Sequence, residues 1–349
     1  MSEKEVSRKH FKGYVYLTIT VFLYLIGPFL VKETYVNENT KYKKPFFIGY
    51  FCTGCLLIYA FPLLFRRMCK HCCKSETNKK LLSNLRTLYV ATILGILGIV
   101  QCYLYYVAVE YTSISSNMIL HDTSDVFVYI FCIMLLGWKF SWLRFLAVFI
   151  SVVGVFLIGY SDSYDSQQAT SLKGDLISLS SAVFYGLLLT LTKLYIEDEE
   201  AIDWSKFFVF NGLTSLIIWI PFIWLLHVTK IETFELPNAA TLYILLITAL
   251  LNYVIADYTF HLATVLLDPL LVDLGLGAVS PLAMVIEHYY DGKVFDAVYL
   301  IGYGLIILAF VLLVIYDFYY EVKEQIESLE TKKVDGDEEE TEALKTDED

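Results

Sequence analysis

Six ionisable residues stand inside apolar runs of this 349-residue sequence: His121, Asp122 and Asp125, then Asp257 and His261, then Asp273. A charge near the centre of a bilayer costs about 2.5–3.5 kcal/mol on insertion scales, so such groups face a cavity or a partner. On a helix, His121 and Asp125 are four residues apart and make the better pair, whereas Asp122 is turned about 100° from His121. Met118, His121/Asp122, Asp125 and Tyr129 fall along one face, at spacings of three and four. Counting roughly 13 Å of helix from Ser113 places Asp122 near mid-membrane. A histidine beside a carboxylate can take up and release protons in a gradient. The other reading is a structural pair bonded to neighbouring helices, or residues lining a wet cavity.

Asp273 is followed by Gly275, Gly277 and Pro281, which loosen a helix and free carbonyls towards a cavity. It reads as a proton or cation site, or as a hydrated acid near the interface. Asp257 and His261, four apart, read as a solute contact, a gate or a structural pair. Asp268 and Pro269 read as a helix N-cap followed by proline in the first turn. Glu287 and His288 read as surface residues. Tyrosines on the third span (Tyr103, Tyr105, Tyr106) and the eighth (Tyr253, Tyr258) can line a cavity or serve as packing.

The elements that position these groups are membrane helices. The chain is 57% hydrophobic and only 18% charged, and its mean hydropathy is +0.57. About 20 apolar residues cross a bilayer core. Ten runs qualify, at about 14–31, 46–65, 87–109, 114–137, 142–160, 175–195, 207–227, 239–262, 267–288 and 295–316. The fourth and ninth are the weakest by hydropathy because they carry the acids. The net charge of −12 belongs mostly to the end of the chain, where residues 317–349 hold 14 acids and four Lys. With no basic stripe, no nucleic-acid partner is expected.

Lysines and arginines set the orientation. With a cytoplasmic N-terminus, the inside segments hold 19 of the 26 and the outside loops seven, so both termini are expected in the cytoplasm. The exception is the first outside loop, with Lys32, Lys41, Lys43 and Lys44. In Arg66–Lys74, juxtamembrane Cys69, Cys72 and Cys73 suit acylation or remain free thiols, and are too close together to wrap one zinc. No metal or cofactor is expected.

A shift of 154 residues lays Gly137 onward under Asp291 onward and Lys139 on Lys293. The fold class expected is therefore an all-α polytopic membrane protein of ten transmembrane helices in two inverted five-helix repeats. The parts are a cytoplasmic N-terminus 1–13, a first repeat 14–160, a linker 161–174, a second repeat 175–316 and an acidic tail 317–349. Five spans is an odd number, so the second repeat enters upside down, an architecture used for alternating access. Small residues at Ser178, Ala182 and Gly186, at Ala147 and Ser151, and at Gly302 and Gly304 provide close-packing faces.

The segments VEYTSISSNMIL, GWKFSWLRFLAVFISVVGVFLIGYSD, GDLISLSSAVFYGLLLTLTK and SPLAMVIE carry a resemblance. They are similar to the drug/metabolite transporter superfamily, and within it to solute carrier family 35 subgroup F and its fungal thiamine-transporter-like relatives. The resemblance implies a secondary transporter in an endomembrane or vacuole-type membrane. Where relatives keep small Ser/Thr residues, this chain has His121, Asp122 and Asp125.

No Lys or Arg lies within a span away from its ends. An anionic cargo calls for cationic partners, so the reading is a small cationic or neutral metabolite, with protons as a further partner. The alternatives are a nucleotide-sugar exchanger, or a non-transporting membrane sensor or scaffold acting through its acidic tail. A second copy of the chain is a further candidate partner, in a homodimer. No ATP-binding loop or hydrolase motif appears, so no enzyme is expected.

Overall fold

The computed structural model describes residues 3–36, 42, 44–69, 78–111, 117, 120–165, 172–196, 201–230, 232–279, 282–283, 285–286, 289 and 296–319. The described residues fold as helices: α1 (Glu3–Val36), α2 (Pro45–Gly54), α3 (Ala60–Cys69), α4 (Asn78–Tyr111), α5 (Ser124–Leu135), α6 (Trp142–Asp165), α7 (Leu172–Tyr195), α8 (Trp204–Val228), α9 (Ala239–Thr248), α10 (Ala256–Leu266), α11 (Pro269–Leu276) and α12 (Ala297–Tyr319). A 3₁₀ segment, Cys55–Tyr59, joins α2 to α3, and a π-helical turn, Ala249–Ile255, joins α9 to α10. The side chain of Cys69, residues Cys72 and Cys73, the Glu287–His288 pair, Lys293 and the tail beyond Tyr319 fall outside the description.

Among the described residues, eight stretches are long and apolar enough to cross a membrane: Arg8–Val31, Pro45–Phe65, Leu85–Ala108, Trp142–Ser161, Leu172–Tyr195, Trp204–Val228, Ala239–Leu266 and Ala297–Tyr319. The chain is an integral, multi-pass membrane protein. These eight match eight of the ten expected runs. The other two, the fourth and ninth, contain the shorter helices α5 and α11, of 12 and eight residues. Both lie inside the bundle: Val128 and Cys132 of α5 and Val272 of α11 are fully buried.

Small residues set the closest approaches. A Cβ on Gly154 of α6 would stand 2.6 Å from the Gly302 carbonyl oxygen of α12, and one on Gly302 2.7 Å from the Gly154 carbonyl oxygen. Gly186 brings α7 against Phe127 and Val128 of α5 in the same way. Without a hydrophobic drive between helices in lipid, this backbone proximity is what packs them.

Polar clamps hold the loops. The Glu232 carboxylate accepts from the backbone N–H of Phe46 at 3.0 Å and of Phe47 at 3.1 Å, two of the unpaired donors that open α2. Lys44 Nζ donates to Thr233 Oγ1 at 2.6 Å and lies 3.8 Å from Glu235. Thus one lysine of the anomalous first outside loop answers the acids of a second loop. Burial, with Glu232 and Glu235 nearby, pushes the Tyr42 hydroxyl well above its ordinary range. Asp296 opens α12: Ser161 Oγ donates to it at 2.6 Å and the Tyr299 N–H at 2.9 Å, which together hold its carboxyl below the usual range.

Candidate functional site

A cavity of about 340 Å³ occupies the middle of the bundle. Every helix except α3 contributes to its wall. His121, Asp122, Asp125, Asp257, His261 and Asp273 all line it, although they come from three separate stretches of sequence. No Lys or Arg is among the described lining residues. The volume lies at the lower end of the ~300–1,000 Å³ typical of small-molecule sites.

The chain brings the acids together differently from the expected pairings. A turn at Thr123 separates His121 and Asp122 from α5, with the Val126 N–H bonded to the Thr123 carbonyl. His121 and Asp125 therefore do not pair. Asp125, 3% exposed, accepts from Ser151 Oγ at 2.5 Å and lies within electrostatic reach of Asp273 of α11. Ser124 Oγ lies 3.0 Å from each carboxylate oxygen of Asp273. His121 turns the other way. Its Nε2 is 3.1 Å from Gln101 Nε2, and its ring sits against Tyr105 and Tyr185, with centroids 5.2 and 4.9 Å away. Asp122 lies within electrostatic reach of Tyr105, Tyr185 and Asp273.

Asp257 and His261 meet through the backbone and not through the carboxylate. Tyr24 of α1 donates to Asp257 Oδ1 at 2.9 Å, while His261 Nδ1 bonds the Asp257 backbone carbonyl at 2.8 Å. A carbonyl only accepts, so Nδ1 carries the hydrogen and Nε2 presents a lone pair. Nε2 is buried and has no hydrogen-bond partner among the described residues. Phe207, Phe208 and Phe260 crowd the ring at 5.3–5.6 Å.

Asp268 precedes Pro269 at the start of α11, as expected, but its side chain does not cap the helix. The carboxylate pairs with Arg144 Nη2 at 2.7 Å, and that guanidinium covers the Trp138 ring at 3.8 Å. A cation from α6, 124 residues away in sequence, outcompetes local backbone donors, because charge-assisted bonds are the stronger.

Sequence reasoning missed the uncharged wall. Gln101, Asn211, Asn252, Thr53 and Ser151 line the cavity beside the acids. The available signal was a lone amide inside an apolar run, as in Asn252 of ALLNYVI. That segment is the π-helical turn, a rare element often found at functional sites. Both Asn252 and the adjacent Tyr253 line the cavity. Tyr253 Oη is tied to Cys102 Sγ at 3.2 Å and Tyr106 Oη at 3.3 Å.

Comparisons with known proteins agree with this architecture. A family model described as purine nucleobase transmembrane transport matches residues 14–223. An uncharacterized transporter of Schizosaccharomyces pombe is 27% identical over 87% of this chain and 95% of its own. The thiamine-repressible mitochondrial transport protein of Saccharomyces cerevisiae is 26% identical over 89% of this chain and 94% of its own. Mouse solute carrier family 35 member F5 is 30% identical over 52% of this chain and 35% of its own. A crystal structure of another protein, 13% identical, superposes with a TM-score of 0.62 over 90% of this chain and 99% of the other, a likeness of fold. The chain belongs to the purine nucleobase transmembrane transport family, among the drug/metabolite transporters of the solute carrier 35F type.

Proposed function

We propose that this protein is a secondary transporter that carries a small neutral or cationic metabolite by alternating access, coupled to protons. The observation that carries the reading is the central cavity, whose described wall holds four aspartates and two histidines and no Lys or Arg. A nucleotide sugar brings a diphosphate, and binding one in a low-dielectric site calls for cations. A purine nucleobase, the solute in the family's description, is neutral and planar and suits tyrosines and amides.

Asp125 and Asp273 are the coupling site in this reading. Two buried carboxyls that face each other across one cavity share a proton in this reading, because two like charges in a low-dielectric site are not both tolerated. One comes from the expected fourth span and the other from the ninth, the repeat partners of a ten-helix inverted architecture. Relative motion of the two spans would part and rejoin the pair and so trade its proton between the two sides. Both termini are cytoplasmic in this account. The vacuolar and mitochondrial names of two Saccharomyces cerevisiae relatives support an intracellular organelle membrane over the plasma membrane, and the vacuolar one an endomembrane.

Counterflow in proteoliposomes separates the cargo classes. Vesicles preloaded with unlabelled adenine should accumulate radiolabelled adenine, and vesicles preloaded with a uridine-diphosphate sugar should not accumulate that sugar. Exchange of the sugar without exchange of the base would replace this reading with a nucleotide-sugar exchanger.

A further inference from the structure

Two carboxamides from the C-terminal part of the chain sit in notches left by glycines of the N-terminal part. A Cβ on Gly27 of α1 would stand 2.4 Å from Asn252 Oδ1, and one on Gly95 of α4 would stand 2.5 Å from Asn211 Oδ1. Neither position has room for a side chain while the amide stays in place. All four residues line the central cavity.

A carboxamide offers two donors and two acceptor lone pairs. Among the described residues, Asn252 makes one long bond, from Nδ2 to the Thr248 carbonyl at 3.5 Å. Asn211 accepts one from Ser215 Oγ, also at 3.5 Å. Asn252 is only 8% exposed, yet faces the cavity with most of its hydrogen-bonding capacity unspent. Leaving a buried polar group unsatisfied is costly, and a leucine of similar size would fill the same notch without that cost. The amides therefore call for a partner from the cavity. The π-helical turn is a departure from α-helix that carries Asn252 and Tyr253 side by side on the wall.

We propose that Asn211 and Asn252 are the specificity-determining amides, which read adjacent donor and acceptor groups on the edge of a planar solute. Gly27 and Gly95 are the positioning residues that seat them. The inference rests on the transport reading and deepens it. A site built to hydrogen-bond its ligand rejects an analogue lacking those groups far more strongly than an apolar pocket does.

The test is equilibrium binding of radiolabelled adenine to the purified full-length protein, competed with unlabelled adenine and with 6-(dimethylamino)purine, whose methyl groups remove the amino donor. Wild type should prefer adenine at least tenfold. Asn211→Leu and Asn252→Leu should each cut that preference at least fivefold, and Gly27→Ala and Gly95→Ala should do the same with the amides still present. The preference is a ratio measured on binding-competent molecules only, so partial misfolding does not imitate the effect. If both leucine variants keep the wild-type preference, the inference is overturned and the transport reading stands. If wild type binds neither base, the purine reading fails and takes this inference with it.

Discussion

Ser124 Oγ stands 3.0 Å from both carboxylate oxygens of Asp273, which ties the turn that opens α5 to the buried face of α11. These two residues are 149 apart in sequence. Through this link Asp273 is held where it also meets Asp125. Ser124→Ala should loosen that hold while keeping the carboxyl pair. In proteoliposomes its uptake should fall by about tenfold or less, in line with one lost hydrogen bond to a charged or shared-proton carboxyl of about 1.5 kcal/mol. A loss as large as that of an aspartate variant would show that Ser124 does more than position.

Arg144 and Asp268 form a partly buried ion pair, with side chains 15% and 27% exposed. Arg144→Leu leaves Asp268 without its cation, which should cost about 3 kcal/mol or more. The melting temperature should drop clearly. Adding Asp268→Asn should recover most of the loss, since the stranded charge is then gone. A double variant no more stable than Arg144→Leu alone would mean that the lost Trp138 and Tyr316 contacts, not the charge, dominate.

Gly154 and Gly302 block each other's side-chain positions through their carbonyl oxygens. Gly154→Leu should push α6 from α12 and destabilise the protein by about 1–3 kcal/mol, the usual range for overpacking. Gly304, which has nothing within 4 Å of its would-be Cβ, should accept Ala with little change. Thermal unfolding in detergent compares the two.

Glu232 closes the start of α2 by accepting two backbone N–H groups. Glu232→Ala should cost about 1 kcal/mol, as for the loss of a helix cap. Glu232→Gln should cost less, because its carbonyl oxygen still accepts. Equal losses for the two would indicate that the charge, not the acceptor, holds the loop.

The membrane class, eight of the spans and the six ionisable wall residues were legible in the sequence, because hydropathy runs and misplaced charges are local signals. The pairings were not. Spacing alone joined His121 to Asp125, but the chain turns at Thr123, and Asp125 finds Ser151 and Asp273 instead. Spacing likewise joined Asp257 to His261, yet a tyrosine 233 residues away takes the carboxylate. Helical periodicity describes neighbours on one element, whereas a buried carboxyl takes the best donor from any helix. The Asn252 seat was hidden for a related reason. Its partner, Gly27, looks like an ordinary small residue until α1 and the π-helical turn are brought together.

The central claim is that the cavity couples solute to protons through Asp125 and Asp273. The direct test is adenine uptake into proteoliposomes under an imposed pH gradient, comparing wild type with Asp273→Asn. The amide has the shape of a protonated carboxyl but cannot release the proton. Wild type should concentrate adenine when the gradient is present and should not when it is collapsed. Asp273→Asn should lose gradient-driven accumulation by at least tenfold and still catalyse adenine counterflow. Accumulation by Asp273→Asn equal to wild type, or wild-type uptake indifferent to the gradient, would contradict the account.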